Sequence, residues 1–290
     1  MKVLVTGSAG QLGYELERTQ PVGIQFIGRD IEDFDLTVRA EAEGLVEEEG
    51  PDLVINAAAY TAVDRAEEEV EAALAVNRDG AGYLAKACAD RDVRLIHIST
   101  DFVFDGCSGT PYSPEAEPTP INAYGRTNLE GEQAVRKANP QALILRTSWL
   151  YSSRGQNFVK TIIRLSREKE RLTVISDQVG SPTWAKGLAE AVWDFSRLGE
   201  VRGTFHWTDA GVASWYDFAV AIQEEAFNLG LLKKQVSVVP VGSEHFATAA
   251  RRPAFSVLDK SSTWKLLGRT ALHWRSALRL MLPELGAFSG

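Results

Sequence analysis

Lys2-Val3-Leu4-Val5-Thr6-Gly7-Ser8-Ala9-Gly10-Gln11-Leu12-Gly13 runs a short apolar strand straight into a glycine loop. Glycines at three-residue spacing let the backbone turn tightly, approach a pyrophosphate and start a helix whose N–H groups face the anion. A glycine triplet alone is a weak signal. One that follows a strand and opens a helix stands in the context of a dinucleotide fold. Gly7, Gly10, Gln11, Leu12 and Gly13 are therefore candidate cofactor-binding residues. The competing reading is a strand-to-helix turn that needs glycine for geometry alone.

Outward from this loop, short apolar runs alternate with helical patterns. Strands are expected at Val3–Val5, Ile24–Ile27, Leu53–Ile55, Leu95–Ile98 and Ala142–Leu145. Each is brief and nearly all apolar, as strands buried on both faces of a parallel sheet are. Helices are expected over Gln11–Thr19, Val38–Glu49, Val70–Asp90 and Tyr124–Ala138. This alternation predicts an α/β fold, a Rossmann-type doubly wound parallel sheet. After residue 150 the texture changes, with fewer strand-like pieces (Leu172–Ile175, Thr204–Trp207, Val236–Val239) and aromatic helices (Ala185–Phe195, Trp215–Phe227, Leu272–Met281). The expected division is a dinucleotide-binding domain over 1–150 and a smaller substrate-binding lobe over 151–290. No Pro/Gly/Ser tether joins them, so the two are expected to interleave, with segments of the lobe returning to the first domain.

The bulk properties narrow the function class. A chain of 290 residues with 44% hydrophobic and 24% charged residues is an ordinary globular protein able to bury a large core. Its net charge of −8 argues against a nucleic-acid or anionic-membrane partner. Only Cys88 and Cys107 are present, so no disulfide framework is implied. Cys88 follows helical apolar spacing and reads as a buried thiol; Cys107 lies in a turn-rich stretch. His97, His206, His245 and His273 show no metal-ligand spacing, and no metal site is expected. No run is long enough to span a bilayer, and the expected location is cytoplasmic.

The end of the second strand is where a dinucleotide fold places its ribose reader. Gly28-Arg29-Asp30 stands there. Asp30 suits a ribose hydroxyl and NADH; Arg29 suits a 2′-phosphate and NADPH. Both cofactors stay open. The fourth strand ends in Ser99-Thr100-Asp101, at the carboxyl edge where open α/β sheets bind ligands. Tyr124 follows after a turn-rich stretch, at the start of a helix.

At these residues the chain resembles the extended short-chain dehydrogenase/reductase superfamily and, within it, the dTDP-4-dehydrorhamnose reductase family. The resemblance runs through Gly7–Gly13, Asp33–Thr37, Asn56–Asp64, Asn77, Ile98–Gly106, Tyr124, Arg146–Trp149, Asp177–Trp184 and Arg252-Pro253, essentially the whole chain. It implies reduction of the 4-keto group of dTDP-4-dehydro-L-rhamnose by NADPH or NADH, in a monomer or homodimer. It also implies roles. Tyr124 is the proton donor and Thr100 polarises the ketone oxygen. Asp35 and Leu36 border the adenosine; Ala58, Ala59, Tyr60, Asn77, Ser99, Tyr124 and Asn128 line the cofactor site. Thr61, Thr100, Asp101, Tyr124, Trp149 and Arg252 contact the sugar nucleotide. For Trp149 a core position competes, and for Arg252 a surface ion pair. Trp184, Trp207 and Trp215 are expected in the core.

One position departs from the family pattern. Where its lysine stands, one helical turn after the tyrosine, this chain has Asn128. The amide keeps a hydrogen bond for the ribose but carries no charge. Arg126 lies on a different helix face, and Lys160 is a distant candidate to replace the cation. Asn128 therefore also admits a second class of protein, a dinucleotide-binding regulatory or partner protein with weakened catalysis. A dehydratase is disfavoured, because those relatives carry Thr-Asp-Glu where this chain has Thr100-Asp101-Phe102.

Overall fold

The first apolar run forms β1 (Lys2–Thr6), with Val3, Leu4 and Val5 wholly buried, in a computed structural model that describes residues 1–287. The last three residues of the 151–290 stretch lie outside it. The chain continues through α1 (Gln11–Arg18), β2 (Gln25–Arg29), α2 (Arg39–Glu49) and β3 (Leu53–Asn56). The helix expected over 70–90 is α3 (Val70–Leu74), a π turn over Ala75–Gly80, and α4 (Ala81–Asp90). Apolar spacing does not register such a widened turn, because the flanking faces stay in phase with the core. Then come β4 (Arg94–Thr100), α5 (Ala123–Ala138) and β5 (Leu143–Thr147).

These strands pair in parallel in the order β2-β1-β3-β4-β5. Their side chains are apolar on both faces because helices cover both, and two of the hydrophobic clusters lie one on each side of the sheet strands. The order reverses between β1 and β3. A crevice opens there, beyond the carboxyl ends of the strands, and that is where such sheets bind ligands.

The second half contributes β6 (Leu150–Tyr151), α6 (Phe158–Glu168), β7 (Arg171–Ile175), β8 (Val179–Gly180), β9 (Thr183–Trp184), α7 (Ala185–Arg197), β10 (Gly203–His206), β11 (Ala213–Ser214), α8 (Trp215–Asn228), β12 (Ser237–Val241), α9 (Ser261–Leu267) and α10 (Trp274–Ala287). A separate core gathers α6, α8 and α10 around Phe218, Ile222, Leu278 and Met281. Residues 185–206 do not join it. Helix α7 packs on α1, its Trp193 indole donating to the Leu16 carbonyl, and β10 adds a sixth parallel strand beside β5.

One buried ion pair ties α5 to the sheet. Arg146 on β5 and Glu132 on α5 are each 2% exposed and bonded in two places, at 2.7 and 2.6 Å; Ser99 also donates to Glu132 at 2.6 Å. Removing one partner strands the other charge away from water. Glu132→Ala is expected to cost about 3–5 kcal/mol, read as a lowered denaturant midpoint.

Candidate active site

The cleft over the crevice encloses about 1070 Å³. Its floor is the glycine loop. Gly7 has φ +72°, and a Cβ there would sit 2.7 Å from the Ala57 backbone; one on Gly13 would sit 2.4 Å from the Ser8 Cα. Only glycine permits that closeness. Helix α1 then starts at Gly10 with no side-chain cap and no acid in its first turn. Its first N–H groups are left for an anion. Gln11 is fixed by the other half of the chain, accepting from Asn157 Nδ2 at 2.9 Å, and Gly155 and Gln156 close over it. Together these groups fit the pyrophosphate of a dinucleotide.

At the adenosine end, Asp30, Asp35 and Leu36 line the cleft. Asp30 Oδ2 accepts from the Ala9 N–H at 2.8 Å, which ties the β2 end to the glycine loop. Arg29, a candidate reader of a 2′-phosphate, is not on the wall. Its guanidinium is drawn to Glu49 and to the Gly28 carbonyl. Asn77 is also displaced from its expected role. Buried at the π turn, it accepts from Tyr60 N at 2.8 Å and donates to Thr127 Oγ1 at 3.1 Å. It props the Ala58-Ala59-Tyr60-Thr61 loop, which itself lines the cleft. Gly13, likewise, packs beneath the loop rather than on the wall.

The reacting end is built from β4 and α5. Thr100 closes β4 and accepts from Phe102 N at 3.2 Å, turning the chain so that Ser99, Thr100 and Asp101 face the cleft. Asn122 caps α5 by accepting from Gly125 N at 2.7 Å, which sets Tyr124 in the first turn. Asn128 follows one turn later on the same face, and both line the cleft. Burial pushes the Tyr124 phenol up to about 12, against the adjacent Thr100 hydroxyl, which favours the phenolate, and with the Asp101 charge, which disfavours it. Asn128 Nδ2 is spent on the Tyr124 carbonyl at 2.9 Å. Burial pushes Asp101 up to about 7, only partly offset by the Ser256 and Thr100 hydroxyls.

Neither of the two expected replacements for a cation lies on the cleft wall. Arg126 is exposed, and Lys160 Nζ donates to the Gly155 carbonyl at 2.9 Å. Among the described residues the one cationic side chain lining the cleft is Arg252, which is paired with Asp64 at 2.7 Å. Thus Arg252 is both a cleft residue and an ion-pair partner.

The substrate side carries a reading that needs correcting. Trp215, expected in the core, lines the cleft with its ring stacked on Trp149 at 3.5 Å and 3°. Its helical spacing is that of a core residue because its ring also packs against the second-half core, meeting Phe158 at 4.6 Å. Trp149 sits at φ +46°, a left-handed backbone that is costly for a bulky residue and that turns its ring to the cleft. Trp184 and Trp207 are in the core. Phe34, Val63 and Phe102, which lie inside the quoted motif runs without an expected role, also line the cleft, as does Gln156, which lies outside them. His97 is a core residue, 3.1 Å from Asn56 Nδ2 and pushed down to about 4 by burial.

A family model described as RmlD substrate binding domain matches residues 1–286. The chain is 38% identical to a dTDP-4-dehydrorhamnose reductase of Sinorhizobium fredii over 294 aligned positions, 98% of each protein. The chain belongs to the dTDP-4-dehydrorhamnose reductase family. It is also 41% identical to a dTDP-4-keto-6-deoxy-D-glucose reductase of Streptomyces niveus, over 98% of this chain and 97% of that protein. Among solved structures, the family's Bacillus anthracis member in complex with NADP superposes with a TM-score of 0.91 at 36% identity, over 98% of this chain and 99% of that one. Membership accounts for the shared scaffold. It leaves Asn128 as a feature to be explained from this chain's own chemistry.

Proposed function

We infer that this protein reduces the 4-keto group of dTDP-4-dehydro-L-rhamnose to dTDP-L-rhamnose with NADPH or NADH. The observation that carries the reading is the meeting of Tyr124 and Thr100 in one cleft with an uncapped helix start. Bound over the glycine loop, a reduced nicotinamide dinucleotide supplies the hydride. The protein's task is then the oxygen. A carbonyl oxygen placed between the two hydroxyls accepts from both, so the charge that develops on it is met by fixed donors. Tyr124, neutral at physiological pH, gives its proton to the alkoxide.

Residues 1–150 supply the cofactor wall in this reading. The 151–290 stretch supplies the substrate wall, with Trp149 at the junction and Trp215 beside it. Thr61, Asp101 and Arg252 border the sugar nucleotide. The net charge of −8 supports a small-molecule partner rather than a nucleic acid. Among the described residues no helix is long and apolar enough to cross a membrane. The reading places the protein in the cytoplasm as a monomer or homodimer.

The test is oxidation of reduced nicotinamide on adding dTDP-4-dehydro-L-rhamnose. Loss of absorbance supports the reading. Intact dinucleotide binding without turnover would favour the regulatory-protein reading, which Asn128 alone recommends.

Cofactor choice follows from the β2 end. Asp30 faces the cleft while Arg29 faces away, so a carboxylate stands where a 2′-phosphate would bring like charge. NADH is expected to show a KM about tenfold below that of NADPH, and Asp30→Asn to narrow the gap several-fold. Steady-state kinetics with both cofactors decides it.

A further inference from the structure

When Tyr124 has given up its proton, a phenolate is left in a cleft wall with no cation beside it. Reprotonation has to come from somewhere, and the Asn128 amide has no ionisable proton to give. Three oxygens lie in series on the other side of the phenol. The Thr100 hydroxyl stands next to Tyr124. Thr100 Oγ1 is 3.2 Å from Asp101 Oδ1. Asp101 itself is 1% exposed, and its buried carboxyl has the hydroxyls of Thr100 and Ser256 as its polar neighbours. A carboxylate held this way is unfavourable as an anion and well suited to carry a proton.

We propose that Asp101 is the proton reservoir of the active site, recharging Tyr124 through the hydroxyl of Thr100. The proposal rests on the reductase reading. In the forward reaction the bound dinucleotide would be oxidised in supplying hydride for the new C4–H bond; the carbonyl π bond and the Tyr124 O–H bond break and the sugar O–H bond forms. The alcohol product then no longer needs Thr100 as a donor. Thr100 turns its hydroxyl to the phenolate and gives it a proton, while its own oxygen takes the Asp101 proton. Tyr124 and Thr100 end as they began, and the carboxylic acid has become a carboxylate. One proton from solvent, entering as product leaves, restores it. Each turnover therefore takes up one proton, as ketone reduction requires.

The charged and titratable groups around Asp101 are few. Tyr124 faces it from α5 and Thr100 from β4. From the segment after residue 250 comes Ser256, whose hydroxyl favours the carboxylate. Burial raises Asp101 to about 7, so the acid form dominates below that pH and is lost as pH rises through it.

The experiment is the pH profile of kcat for the full-length protein, its Asp101→Asn and Ser256→Ala variants, and Asp101→Asn combined with Asn128→Lys. The wild type is expected to lose kcat as pH rises through about 7. Asp101→Asn is expected to turn over about 10²-fold more slowly, with no such limb and with dinucleotide affinity unchanged. Ser256→Ala, which removes a group favouring the carboxylate, is expected to move the limb to higher pH. Asn128→Lys is expected to recover most of the loss in Asp101→Asn, because it opens a second route. Wild-type kcat and an unchanged limb in Asp101→Asn would overturn the relay while leaving the reductase reading intact. So would a limb that Ser256→Ala does not move, an arm that stands even if Asp101→Asn fails to fold. Absence of turnover in the wild type would overturn both.

Discussion

Tyr124→Phe lowers kcat for ketone reduction by about 10³-fold and leaves dinucleotide affinity unchanged. The size follows from the usual worth of a positioned proton donor, about 10² to 10⁴. It falls in the middle of that range because Thr100 remains to polarise the carbonyl and supply a hydrogen bond. The phenol is held by the α5 cap and by the edge of the Phe102 ring, with centroids 5.5 Å apart, and neither depends on its hydroxyl. The fold should therefore tolerate the change. Fluorescence titration with the dinucleotide, run beside single-turnover rates, separates binding from chemistry. A drop smaller than tenfold would mean that a different group donates the proton.

Asn128→Lys speeds the reaction by the same factor in both directions, because the overall equilibrium is fixed. With the phenol at about 12, only about one molecule in 10⁵ carries a phenolate at neutral pH. Oxidation of the alcohol needs that phenolate as its base. A lysine one turn below favours it by about one to three pKa units. The base is then more abundant but correspondingly weaker, and the acid that serves reduction is stronger, so kcat/KM is expected to rise about tenfold each way. The pH at which the oxidative rate levels off should fall by about one to three units. Profiles of both directions on one preparation check this, because a mere improvement in cofactor placement would raise the rates without moving that pH. An oxidative profile that does not move would show that some group already supplies the charge.

Much of this arrangement was legible in the residues, for physical reasons. Of the five strands of the first half, β1, β3, β4 and β5 are largely buried and mostly apolar, so they stand out as short runs without any period. The glycine loop declares itself because only glycine fits against Ala57 and Ser8. Thr100 and Tyr124 converge because a strand end and a helix start meet at the same edge of the sheet. What escaped has equally definite causes. Arg29 and Asp30 are adjacent and both charged; only the position of Glu49, twenty residues on, shows which of them turns away. Asn77 looked like a cofactor contact because its motif does not reveal the widened helical turn that aims it at Tyr60. Trp215 shows core spacing because one of its faces is indeed on the core. The paired strands β6, β8, β9 and β11 are two residues each, too short for any periodicity to appear.

The way β10 and α7 lie across the boundary has an evolutionary consequence. Cutting the gene after residue 150 would leave β5, with its run Leu143-Ile144-Leu145, as a bare sheet edge and strip α1 of its packing partner, a recipe for aggregation. Neither half could have been borrowed as a ready-made cassette. A side chain on the shared wall, such as that at position 128, can by contrast change without exposing either edge.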